Sequence, residues 1–124
     1  MSDTGFQYAS YEVLNAERNK LPRLYTFIWR YISKTISLSR SSHYAMGLFS
    51  KDGLLLDLFA RENYTLEQYL QDGIRAGSNW KEIGYNAVRQ GIIGRESLAT
   101  IGDENEFPPL KNYAIYYAPI SILS

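Results

Sequence analysis

Residues 73–120 read GIRAGSNWKEIGYNAVRQGIIGRESLATIGDENEFPPLKNYAIYYAPI, and this stretch decides the fold. Trp80, Ile83, Gly84, Ala87, Val88, Gly91 and Ile92 recur at the three-and-four spacing of one buried helical stripe, which predicts a helix over 79–93. Asn79, with Glu82 three residues later, is the expected N-cap pair, and Gly94 the expected C-terminal cap. Glycine inside a helix costs about 1 kcal/mol relative to alanine, so two glycines on the inward side imply a compensating close approach to a sheet. That sheet is expected from the flanking runs. Residues 97–101 read as a short strand, 102–107 as an acidic turn and 112–120 as a strand of β-branched and aromatic residues.

Working outward, 43–49 and 54–59 are apolar runs of strand length joined by Ser50-Lys51-Asp52-Gly53, an Asp-Gly hairpin signal. Asp57 interrupts the second run and is expected to face solvent. Thr65 to Leu70 reads as a short helix with Thr65 and Gln68 as a capping box, Leu66, Tyr69 and Leu70 inward, and Gly73 closing it. A helix is expected from Phe6 to about Lys20 through Tyr8, Tyr11, Val13 and Leu14. A longer one is expected from Pro22 to about Leu38, with Leu24, Phe27, Ile28, Tyr31, Thr35 and Leu38 on one stripe and Ile32 and Ile36 widening it. So wide a stripe has two uses: a two-sided core helix, or a helix that covers the sheet on one side and meets a second copy on the other.

The chain of 124 residues is one domain's worth, and its 45% hydrophobic content is enough for a core. Thirteen basic residues balance thirteen acidic ones, so no electrostatic footprint for direct contact with nucleic acid, or for an anionic membrane, is present. Cysteine is absent, which removes disulfides, thiolate nucleophiles and sulfur-ligated zinc. No apolar run approaches the roughly 18 residues of a membrane span and no signal peptide is evident, so a cytoplasmic location is expected. Eleven tyrosines stand out. They either sit half-exposed with their hydroxyls in water or line a polar cavity or interface.

The order of Trp80, Glu82, the GYNAV run at 84–88, Gly102, Glu104, Phe107 and the Ala118-Pro119-Ile120 ending resembles the GAF domains of sigma-54-dependent transcriptional activators. Tyr85, Arg89 and Asn105 depart from that pattern, as do Tyr116 and Tyr117, which stand where the family has small residues. The segment from Trp80 to Gly84 is also about two residues short. The resemblance implies an α+β domain: a GAF-like antiparallel sheet with helices packed on it, truncated at the C-terminal end. A single domain is expected over 1–124, with N-terminal helices over 1–40 and the sheet with its covering helices over 43–124. The family's next strand and closing helix lack counterparts here, so either the sequence is a piece of a longer domain or a second copy pairs with the open sheet edge, and a homodimer that covers the edge is expected.

Function follows from the same residues. His43 is the lone histidine, which leaves general acid–base chemistry unsupported. Asp103, Glu104 and Glu106 form an acidic turn without a metal-ligand pattern, and no Gly-rich loop is placed for phosphate. The expectation is a non-enzymatic domain with no cofactor and no metal. By the resemblance it is a small-molecule-sensing regulatory domain of a transcriptional regulator or signalling protein. Its effector pocket would be lined by Trp80, Tyr85, Asn86, Arg89, Glu104, Tyr113, Tyr116 and Tyr117. Asn86 would donate and accept, and Arg89 would face a carboxylate or phosphate. The alternative is a dimerisation or protein-interaction module of the same fold whose pocket is filled by tyrosine. A hydrolase-like enzyme built on His43 is a third, weaker reading.

Overall fold

The helix expected over 79–93 forms only in its second half. The computed structural model describes residues 5–20, 22–38 and 44–120. In chain order it comprises α1 (Tyr11–Arg18), α2 (Pro22–Leu38), β1 (Ala45–Phe49), β2 (Leu55–Ala60), α3 (Asn63–Gln71), α4 (Ala87–Gly94), β3 (Leu98–Ile101) and β4 (Ala114–Tyr117). Two 3-10 turns, Gly102–Glu104 and Pro108–Leu110, lie between β3 and β4. The class is α+β.

α4 begins at Asn86, whose side chain accepts from the Arg89 N–H, so Asn86 and not Asn79 is the cap. Residues 80–85 are turns, because Gly84 stands at φ +81 and a helix cannot run through it. Its position is also crowded, since a Cβ there would lie 1.8 Å from Glu106 Oε1. Trp80 and Ile83 are nonetheless buried. At the other end Gly94 is the last helical residue and Arg95 takes the left-handed conformation expected of a glycine.

The described strands form two separate two-stranded antiparallel sheets, where one sheet was expected. β1 pairs with β2 from Ala45↔Ala60 to Phe49↔Leu55, with a bulge at Leu48/Phe49. Ser50 closes the expected Asp-Gly turn, its N–H donating to Leu54 O at 2.8 Å. β3 pairs with β4 from Leu98↔Tyr117 to Ile101↔Ala114, and α4 packs on this second hairpin. The split has a local cause. The start of β2 is met by residues 77–79, with Leu55 N–H donating to Ser78 O at 2.9 Å and Gly77 N–H to Leu55 O at 2.7 Å. Those residues are met in turn by Tyr8, which bridges Ser78.

That pairing also corrects the first helix. Residues 6–9 are extended rather than helical, because Ala9 N–H donates to Gly77 O at 2.9 Å and Phe6 enters the core. α1 starts only after Ser10, whose hydroxyl accepts from the Val13 N–H at 3.2 Å. Leu14 is buried, whereas Tyr8, Tyr11 and Val13 are exposed. α3 starts earlier than expected, after Glu62, so Thr65 is a buried residue inside it instead of its cap, and Leu70 faces solvent.

The main core joins Phe6, Leu55, Ile74, Trp80, Ile83, Val88, Phe107 and Leu110. Phe6 stands 4.7 Å from Phe107 and 5.4 Å from Trp80, and Phe49 meets Trp80 edge-on at 5.2 Å between ring centroids. A second cluster places Ile28, Ile32 and Ile36 of α2 against Tyr44, Met46, Leu48 and Phe59 of the β1–β2 hairpin. Asp57 is half-buried beside Arg18, 3.2 Å away, and not simply in solvent. Arg18 also donates to Leu56 O from both Nε and Nη2. No described helix is long and apolar enough to cross a membrane.

Candidate functional site

Around the start of α4 the chain builds a buried polar relay. Asn86 Nδ2 donates to Trp80 O at 3.0 Å and to Gly84 O at 3.1 Å, while its Oδ1 accepts from Arg89 N–H at 3.1 Å. Thr100 Oγ1 accepts from Ala87 N–H at 2.9 Å and donates to Asn105 Oδ1 at 2.6 Å. Asn105 Nδ2 then donates to Leu110 O and Tyr113 O. Asn86, Thr100 and Asn105 are all buried, and both amide hydrogens of each asparagine are engaged inside the protein. Three turns are thereby tied to one another. Thr100 and Asn105 are the members that sequence reasoning missed. The signal for Asn86 was legible, since an asparagine directly ahead of an Ala-Val run is a cap pattern.

The other residues expected at a pocket are spread over different environments. Trp80 is core, and its Nε1 donates to the buried Ser78 hydroxyl at 3.0 Å. Tyr85 is exposed, and its N–H donates to Glu106 Oε1. Arg89 is half-buried and donates to Gln90 Oε1. Glu104 is exposed and accepts from the Ile101 N–H at 2.8 Å, closing its own turn. Tyr113 lies against Tyr69 and donates to Asp72, and burial followed by that bond holds its phenol well above the ordinary tyrosine value.

Tyr116 and Tyr117 alternate as neighbours on a strand must: Tyr116 points out, and Tyr117 lies across α4. A Cβ on Gly91 would come within 2.0 Å of the Tyr117 ring, so the glycine makes room for the tyrosine. Burial raises the Tyr117 phenol as well.

An open groove of about 360 Å³ lies elsewhere, between α2, the end of β2 and α3, and none of the expected pocket residues lines it. Ile36, Leu58, Phe59 and Leu66 make it apolar, with Arg61 beside them. Among the described residues no group of three or more acidic or histidine side chains is placed to hold a metal. His43 lies outside the described residues.

The other surface that stands out is the outward side of α2. Ile28, Ile32 and Ile36 face the β1–β2 hairpin, whereas Phe27, Tyr31 and Leu38 are 68%, 64% and 73% exposed. Spaced by four and seven residues, these three fall on one helical face, with Lys34 in line between the last two. Arg23 and Arg30 flank Phe27 at four and three residues' distance, and both are exposed, as is Lys34. Pro22–Leu38 contains no acidic residue, and among the described residues none of these cations has an ion-pair partner. Trp29, also half-exposed, borders the groove-facing side.

No family model, no curated protein and no solved structure matches the chain.

Proposed function

We propose that the chain is a non-enzymatic interaction module of a regulatory protein, which docks another protein segment on the outward face of α2. The observation that carries this reading is that α2 is apolar on two sides and, among the described residues, only one side is covered. Contiguous exposed aromatic and aliphatic side chains rimmed by charge are the usual mark of a protein-binding surface. The resemblance of 80–120 to GAF domains of sigma-54-dependent activators supplies the setting, a signalling or transcription-regulating protein, and an α+β class agrees with it. A small-molecule effector has less support. Asn86 has no free donor, Tyr117 fills the space over Gly91, and Tyr85, Glu104 and Tyr116 face solvent.

A thermal-shift screen of the chain against cell metabolites separates the two. Under the docking reading no small molecule raises Tm. A metabolite that raised Tm by several degrees in the wild type, and lost its effect in Arg89→Ala, would overturn it in favour of a sensor.

A further inference from the structure

Building on the α2 docking reading, we infer that the occupant of this face is an acidic amphipathic helix of a different protein. Phe27, Tyr31 and Leu38 offer an apolar strip about 16 Å long at 1.5 Å per residue, the length of three helical turns. A helix laid in register along it presents side chains at the same three-and-four spacing, the recurring mode of helix recognition. The charge at the strip is of one sign. Arg23 and Arg30 project beside it and Lys34 lies in line between Tyr31 and Leu38, no acid stands on the element, and no described carboxylate neutralises these cations. Glutamates or aspartates flanking the partner's apolar strip would meet those cations, whereas lysines would be repelled.

The same charge argues against the other occupants. A second copy of α2 would bring cations to cations in either direction, because Arg30 lies near the middle of Pro22–Leu38 and the remaining two lie on either side of it. An anionic bilayer would find local positive charge but no net field, since the whole chain carries thirteen cations and thirteen anions.

The test uses the full chain and two labelled synthetic peptides of about 20 residues, with leucines at helical spacing flanked by glutamates in one and by lysines in the other. Fluorescence anisotropy should show the glutamate peptide binding at least tenfold more tightly than the lysine peptide, and weakening as salt is raised. Arg30→Glu combined with Lys34→Glu should reverse the preference. Phe27→Ser combined with Tyr31→Ser should abolish binding of both peptides, and circular dichroism checks that each variant remains folded. Equal binding of the two peptides would overturn the acidic partner while leaving the docking face standing. Two other results would overturn it in favour of a different occupant. One is no peptide binding together with a sedimenting dimer that Phe27→Ser disperses. The other is no peptide binding together with retention on phosphatidylserine vesicles. A monomer that binds neither peptide nor vesicle would sink the docking reading itself.

Discussion

α4 is eight residues long and has its Gly91 side pressed under the Tyr117 ring, while α2, at 17 residues, leaves Phe27, Tyr31 and Leu38 in solvent. Both helices are richer in apolar side chains than one covered face requires. In α4 the β3–β4 hairpin and the main core cover Ala87, Val88, Gly91 and Ile92, and Ile93 stays exposed. In α2 the β1–β2 hairpin takes Ile28, Ile32 and Ile36, and Tyr25 packs on Leu14, Leu54 and Leu56, while nothing among the described residues takes Phe27, Tyr31 or Leu38. Sequence periodicity reports how many apolar positions a helix has. It does not say how many of them its own domain will cover.

Substitutions that strike the covered and uncovered sides differently would break this contrast. Ile32→Ala removes a fully packed side chain between α2 and the hairpin, and should lower unfolding stability by about 4 kcal/mol in urea titrations. Asn86→Ala should cost about 3 kcal/mol, because it strips the cap of α4 and leaves Trp80 O and Gly84 O without their donor. Gly91→Ala would favour a free helix by about 1 kcal/mol yet is expected to destabilise this one by about 2 kcal/mol, through overlap with Tyr117. Adding Tyr117→Ala should then make the alanine at 91 neutral or favourable. A double-mutant cycle with no coupling would mean that the ring simply swings aside.

Phe27→Ser sharpens the comparison from the other side: at 68% exposure it should change stability by no more than about 0.5 kcal/mol. A large loss there would mean that the outward face of α2 is covered within the chain.

The smallest expected effect is at Asp57. Burial raises its carboxyl above the ordinary value, and the attraction of Arg18 at 3.2 Å only partly offsets this. A carboxyl with a raised folded-state pKa contributes stability that is full below its unfolded value, about pH 4, and is lost as pH rises through the folded one. The wild type should therefore lose a small increment from about pH 4 upward that Asp57→Asn does not lose. The opposite trend in urea titrations across that range would show that the ion pair outweighs burial.

Much of the local structure was legible. The Asp-Gly turn with its hairpin, α2 and the existence of β3 and β4 follow from residue type and alternation, whereas the pairing of β3 with β4 in a sheet of their own does not. What misled was Gly84. Counted as a small residue on a helical stripe it extends α4 back to Asn79, but as a residue at φ +81 it ends any such helix, and periodicity alone cannot tell the two roles apart. Phe6 misled in the same way. Its spacing to Val13 and Leu14 suits an amphipathic helix, yet a place among Phe107 and Trp80 outweighs the propensity of a short N-terminal segment. The polar relay was half legible. Asn86 stands in a cap pattern, whereas Thr100 and Asn105 become its companions only once β3 and the following turn have folded beside α4.

The extended segment carrying Phe6 has a mechanical consequence. Its backbone bonds, Ala9 N–H to Gly77 O at 2.9 Å and Asn79 N–H to Gln7 O at 3.0 Å, flank the Tyr8–Ser78 bridge and share any load applied along the strand. Tension transmitted through Gly5 reaches the Phe6–Trp80–Phe107 rings before it reaches α1 or α2, so a pull on that side would strain the aromatic centre while α2 stayed slack.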